Sequence, residues 1–392
     1  MTTPTTRPLP ITGHACLNAL GGTREEILSA LREGRTGLRP PDEPLAFETA
    51  VGAVRAPLPE LEGALSPWST RLARMAAALI GPLDEPLRRA RERWRAERIG
   101  VILGTSTAGA ETTERAFKDA VAHGALPSDY DFRRQHTFGA VLHVVETLAG
   151  VRGPAWMVST ACTSSAKPFA SARRLIDAGV LDAAVVGGFD TLCAMTLTGF
   201  HALGALDARP CRPFAADRHG ISIGEGGALA LVEREGEGRV LLEGVGETSD
   251  AYHVSAPHPE GAGARAAMEA ALREAGRTPD EVDHVNAHGT GTALNDRAEA
   301  GAIAALLGRE VPVVSTKGFT GHTLGAAGAI EVVFSAYAIE EGWIPPSLHA
   351  DPLDPEIPLD VRTEATTGRF RRVLSNSFAF GGNNVSVLLR AP

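Results

Sequence analysis

Trp156-Met157-Val158-Ser159-Thr160-Ala161-Cys162-Thr163-Ser164-Ser165 is the stretch from which the fold can be read. An apolar run ends at Val158, and a helical pattern follows over 165–178. A cysteine therefore stands between a predicted strand and a predicted helix. Helix N-termini carry unpaired N–H groups and a partial positive charge. Both favour the thiolate, the form that attacks. A lone free cysteine is more often buried and inert, so this assignment needs partners elsewhere in the chain. Pro168 is costly in a helix interior but tolerated in a first turn. That puts the predicted N-cap at Ser164 or Ser165, with Cys162 just before it.

Moving outward, the same alternation recurs. Short apolar runs at 99–103, 156–158, 183–186 and 228–232 are separated by helical patterns at 70–80, 111–121 and 165–178. Further runs at 240–242, 284–285, 311–314, 372–374 and 385–389 follow, with helical patterns at 262–274, 296–307 and 323–341. Strands alternating with helices argue for α/β units and a mostly parallel sheet. Runs such as Val185-Val186 and Val313-Val314 suit strands covered on both faces. The element order after Val240 roughly repeats the order before it. Two similar halves, 1–238 and 239–392, meet at the charged, Gly-containing segment 233–238.

Three more motifs sit at predicted strand ends. Asn286-Ala287-His288-Gly289-Thr290-Gly291-Thr292 follows the run at 284–285. Its glycines allow the backbone to turn tightly and approach a ligand. Lys317, His322 and a small-residue helix bearing Glu331 follow the run at 311–314. Asn376-Ser377-Phe378-Ala379-Phe380-Gly381-Gly382-Asn383-Asn384 links the last two runs. Singly, these read as a histidine in a turn, a solvated lysine and a Gly/Asn turn. Together they bring a thiol, two histidines and a lysine to the carboxyl ends of strands, where α/β sheets build sites.

The bulk composition narrows the class. At 392 residues the chain exceeds the roughly 250–300 at which one core stops growing. A net charge of −9 gives no footprint for nucleic acid. The four cysteines, Cys16, Cys162, Cys193 and Cys211, form no CxxC pair and no metal-spaced cluster with histidine, which fits a reducing cytoplasmic setting. Met1 to Pro10 lacks the apolar core of a signal peptide. No run approaches the roughly 20 apolar residues of a membrane span. There is no GxGxxG for a nicotinamide cofactor. Gly104-Thr105-Ser106-Thr107-Ala108 is a poor match to a serine-hydrolase elbow.

On these motifs the chain resembles the elongating, Cys-His-His type of β-ketoacyl–acyl carrier protein synthase over essentially its whole length. Asp250-Ala251-Tyr252-His253 and Ala256-Pro257 fit as well. The resemblance implies a thiolase fold of five layers, α-β-α-β-α, from two similar halves. It implies decarboxylative condensation, with Cys162 as the acylated nucleophile and backbone N–H groups of Cys162 and Phe380 as the oxyanion hole. His288 and His322 would stabilise the enolate, supported by Lys317 and Glu331. Thr290 and Thr292 would bind the pantetheine arm, with Phe200, Phe378 and Phe380 about the substrate channel. No metal or resident cofactor is implied, because phosphopantetheine arrives on the acyl carrier protein. Docking would use exposed arginines, either those between Arg71 and Arg95 or Arg209 and Arg212. A homodimer is implied, or a heterodimer with a related chain-length factor.

Rival families are separable by residue. A thiolase carries a second catalytic cysteine near its C-terminus, and 376–384 has none. An initiating synthase has asparagine where His322 stands. A chain-length factor lacks the nucleophile. The short, Arg-rich first hundred residues, 165–168, and Asp190-Thr191-Leu192-Cys193 resemble aryl polyene-type ketosynthases more than those of core fatty-acid synthesis.

Overall fold

The structure is a computed structural model that describes residues 6–392; residues 1–5 of the Met1–Pro10 stretch lie outside it. The first half contributes β1 (Leu9–Leu17), β2 (Ile99–Gly104), β3 (Ala155–Val158), β4 (Ala183–Asp190) and β5 (Gly226–Glu233). The second contributes β6 (Val240–Ser249), β7 (His284–Asn286), β8 (Pro312–Val314), β9 (Arg372–Phe378) and β10 (Asn383–Arg390). The short strand Asp360–Val361 edges β8.

Hydrogen-bonded order is β3-β2-β4-β5-β1 in the first half and β8-β7-β9-β10-β6 in the second. Counted by position within each half, the two orders are identical. Antiparallel pairing of β1 with β6 joins them. The sheet is mixed, where the sequence reading expects it mostly parallel. β2 pairs in parallel with β3 and β4, and β7 with β8 and β9. β5 runs antiparallel to both β1 and β4, and β10 to both β6 and β9. The link from β9 to β10 spans only residues 379–382, too short for a parallel crossover.

Strand periodicity explains the layering. On β2, Ile99, Val101 and Leu103 face one core and Ile102 faces another; on β5, Leu229 and Leu231 oppose Ala228, Ala230 and Val232. The outer core of the first half is covered by α1 (Arg71–Arg93) and α2 (Phe138–Ala149). A central core holds α3 (Lys167–Asp177) together with α6 (Ala327–Glu341). The outer core of the second half holds α4 (Ala262–Ala275) and α5 (Ala293–Leu307). The layers are thus α-β-α-β-α, the thiolase arrangement. In α6, every residue from Ala327 to Ala338 is buried, as a helix between two sheets must be.

Two helix boundaries depart from expectation. α1 runs past residue 80 through Pro82 and Pro86. Its buried stripe of Leu79, Leu83, Leu87 and Ala90 continues at helical spacing, so packing outweighs the proline cost. α3 is N-capped by Ala166, not by Ser164 or Ser165. Those serines have other work. The Ser164 hydroxyl accepts from Thr160 N–H and donates to the Ala161 carbonyl, while the Ser165 hydroxyl accepts from Ala329 N–H on α6. Pro168 still falls in the first turn.

Gly244 and Gly246, on one face of β6, let α4 approach closely. A Cβ on Gly246 would lie 1.9 Å from the Ala267 carbonyl oxygen. Gly246→Ala is therefore expected to destabilise the protein by about 1–3 kcal/mol through overpacking. Gly301→Ala, on an exposed turn of α5 with nothing near its added methyl, should instead stabilise by about 0.5–1 kcal/mol. Paired thermal melts of the two variants check both signs.

Candidate active site

β3 ends at Val158, and the chain turns over through Ala161, whose φ of 52° lies in the left-handed region. A non-glycine residue there is strained, and surrounding contacts must hold it. Thr163 and Ser164 N–H groups donate back to the Thr160 and Ala161 carbonyls. This elbow projects Cys162 toward the mouths of β7 and β8, five residues before α3 becomes regular.

Cys162 Sγ lies 2.9 Å from His322 Nε2. The His288 and His322 rings meet edge to face, with centroids 5.2 Å apart. Behind them, fully buried Lys317 points Nζ at His288 Nδ1, 3.3 Å away, and also reaches the His288 carbonyl. Its ammonium pairs with Glu331 on α6. An ammonium donating to Nδ1 forces the His288 proton onto Nε2. His322 Nδ1 has no hydrogen-bond partner among the described residues. The sequence reading puts Lys317 on a loop; it starts the single helical turn Lys317–Thr320.

Burial governs the protonation states. It lowers His288 and His322 well below the usual histidine range, aided by the Lys317 ammonium, so both are neutral at pH 7. Burial pushes up the Glu331 carboxyl, and Lys317 pulls it back. It also pushes the Cys162 thiol up to about 12, against Lys317 and the backbone N–H of Phe380. The expectation of a helix-stabilised thiolate is thus corrected. Regular helix starts only at Lys167, and desolvation outweighs what the elbow supplies.

A cavity of about 430 Å³ opens onto Cys162, His288 and His322. Thr290, Thr292, Phe200, Phe378 and Phe380 also line it. The Thr290 and Thr292 hydroxyls are 2.9 Å apart. Phe378, ending β9, sets its ring edge-on to His288. Phe380 is 41% exposed and packs on Phe200 with centroids 5.9 Å apart. Lys317 and Glu331 stand behind this wall.

Three buried carboxylates escaped the sequence reading. Glu299 accepts the His288 and Gly289 N–H groups, and Asp296, one turn earlier on α5, accepts those of Thr290 and Gly291. Acidic residues three apart, just after a glycine loop, were the available signal. Asp190 accepts hydroxyl or backbone N–H groups from Thr105, Ser106 and Thr107, which accounts for that poor elbow match as a structural turn. Of the candidate docking arginines, Arg71, Arg88, Arg89 and Arg93 lie on α1, in the outer layer, paired with glutamates. Arg209 and Arg212 pair with Asp217, one residue from cavity-lining Arg218.

Comparison with known proteins places the chain in a family. The family model "Beta-ketoacyl synthase, N-terminal domain" matches residues 6–237, and "Beta-ketoacyl synthase, C-terminal domain" matches residues 240–351. The chain is 36% identical to 3-oxoacyl-[acyl-carrier-protein] synthase 2 of Staphylococcus aureus over 75% of this chain and 77% of that one. It is 33% identical to nodulation protein E of Rhizobium meliloti over 96% and 98%. A solved structure of the ketosynthase ApeO with its chain length factor ApeC, from Xenorhabdus doucetiae, contains a chain that matches with TM-score 0.93 and 38% identity over all of both chains.

A thiol near 12 is almost wholly protonated at neutral pH. Alkylation of Cys162 by iodoacetamide should rise about tenfold per pH unit between pH 7 and 9, because only thiolate reacts. A rate that levels off near neutrality would reveal a resting thiolate–imidazolium pair instead.

Proposed function

The chain belongs to the β-ketoacyl synthase family, and we propose that it condenses an acyl group held on Cys162 with malonyl–acyl carrier protein, releasing CO₂. The product is a β-ketoacyl chain two carbons longer. One observation carries this reading: a buried thiol within 2.9 Å of a neutral imidazole, in the same cavity as a second imidazole oriented by a lysine.

In the first half-reaction, Cys162 Sγ attacks the acyl thioester as its proton passes to His322 Nε2. The N–H groups of Phe380 and Cys162 hold the oxyanion, each such donor being worth about 2.7–4 kcal/mol. His322 returns the proton to the departing pantetheine sulfur. In the second, the malonyl carboxylate leaves as CO₂ and its electron pair forms an enolate. His288 Nε2–H, fixed by Lys317, donates to the enolate oxygen. His322 Nε2 accepts from the thiol in one step and, with its proton shifted from Nδ1 to Nε2, donates to the enolate in the next. The enolate carbon attacks the Cys162 thioester, the C–S bond breaks, and the released thiolate takes a proton from solvent through the cavity. The phosphopantetheine arm comes with the carrier protein, past Thr290 and Thr292.

The likeness to the ApeO–ApeC complex favours a specialised, aryl polyene-type pathway and a heterodimer in which this chain is the active ketosynthase. Possession of Cys162 and both histidines argues against the silent, chain-length-factor role. β3 supports a partner: it is an open edge strand of four apolar, half-buried residues, a surface that pairs readily. Four unpaired cysteines fit a reducing compartment, and the cytoplasm is the expected location. No described helix is long and apolar enough to cross a membrane.

Incubation with acyl–acyl carrier protein should place the acyl group on Cys162 alone, read by peptide mass spectrometry. His288→Ala should keep that acylation but lose at least about a hundredfold in CO₂ release from malonyl–acyl carrier protein. An adduct on Cys193 or Cys211, or wild-type CO₂ release by the variant, would overturn the roles.

A further inference from the structure

The spacing of the three reactive side chains also fits a different ligand. Cys162 Sγ and a ring nitrogen from each of His288 and His322 lie within 4.8 Å of one another, and all three residues are buried. One thiolate and two imidazoles make a tetrahedral zinc donor set, with Zn–S about 2.3 Å and Zn–N about 2.0–2.1 Å. Such bonds put neighbouring donors about 3.3–3.5 Å apart. The Cys162–His322 pair, at 2.9 Å, would open by about 0.5 Å, and His288, within 4.8 Å of both, would close in on them. His322 turns Nε2 to the thiol, and Lys317 at Nδ1 leaves His288 Nε2 facing the cavity. The adjoining cavity of about 430 Å³ has room for a water as fourth ligand and gives an ion its entry path. Hard oxygen-seeking cations such as magnesium find no suitable donor set here.

We propose that the unacylated site captures a thiophilic divalent cation of the zinc class on Cys162, His288 and His322, and that the captured ion blocks acyl loading. The Sγ–Zn bond forms as the S–H bond breaks, and that proton leaves to solvent. His322 Nε2, which faces the thiol, turns its lone pair to the ion. His288 binds through Nε2 as that proton shifts to Nδ1, while Lys317 gives up its contact there and stays charged against Glu331 and the His288 carbonyl. Acylated Cys162 has no thiolate to offer, so loading and capture exclude one another.

The test needs no acyl substrate and so does not depend on the proposed condensation. The full chain is stripped with a chelator and titrated with zinc chloride alone. One zinc per chain should bind by elemental mass spectrometry, and alkylation of Cys162 should slow by about tenfold or more as thiolate is sequestered. Magnesium chloride should do neither. Wild-type chain carbamidomethylated at Cys162 beforehand should take no zinc, and His288→Ala should bind about tenfold or more weakly with one ligand gone. Full zinc binding by the carbamidomethylated chain, unslowed alkylation of zinc-loaded protein, or undiminished affinity in His288→Ala would overturn the proposal.

Discussion

The site depends on one buried ion pair. Lys317 and Glu331 are both almost wholly out of water, where an unpartnered charge costs several kcal/mol. Each therefore obliges the other to stay. Glu331 belongs to α6, the helix shared by both sheets, so the pair ties the helical turn after β8 to an element buried between them. Lys317 spends its remaining hydrogens on His288, at Nδ1 and at the carbonyl. The ammonium thereby decides which imidazole nitrogen faces the cavity with a proton. A solvated lysine could not do this, because it would have no reason to hold one geometry.

Around that pair, positioning is layered. Glu299 and Asp296 hold four consecutive N–H groups from His288 to Gly291, and the glycine at 291, at φ 82°, permits the turn that presents them. Ser165 fastens the nucleophile elbow to α6 through Ala329. Cys162, His288 and Lys317 thus come from three different strand ends, yet each is fastened to a helix packed against the sheets.

Much of this was legible in the sequence, and the failures have physical causes. Residues that carry chemistry were readable because they sit where apolar runs stop, and strand ends converge in space. The five layers followed from family resemblance and duplicated element order. Strand direction was not readable, since an apolar run looks the same whether its neighbour runs parallel or antiparallel. The spacing of Asp296 and Glu299 behind a glycine loop is a faint signal; only the fold shows that they are buried under that loop. The Cys162 thiol was misjudged for a related reason. Local sequence announces the nearby helix, whereas the burial of Cys162 is set by elements distant in sequence, His322 among them.

The repeated strand order has a chemical consequence. Cys162 and the Lys317–His322 pair occupy the same junction, the exit of the third strand toward the central helix, in the first and second copies respectively. The two copies of this junction carry different chemistry. One holds the nucleophile, and the other holds the lysine and the histidine beside it. The repeated backbone thus places two unlike side-chain sets at equivalent junctions, and the cavity lies where they meet.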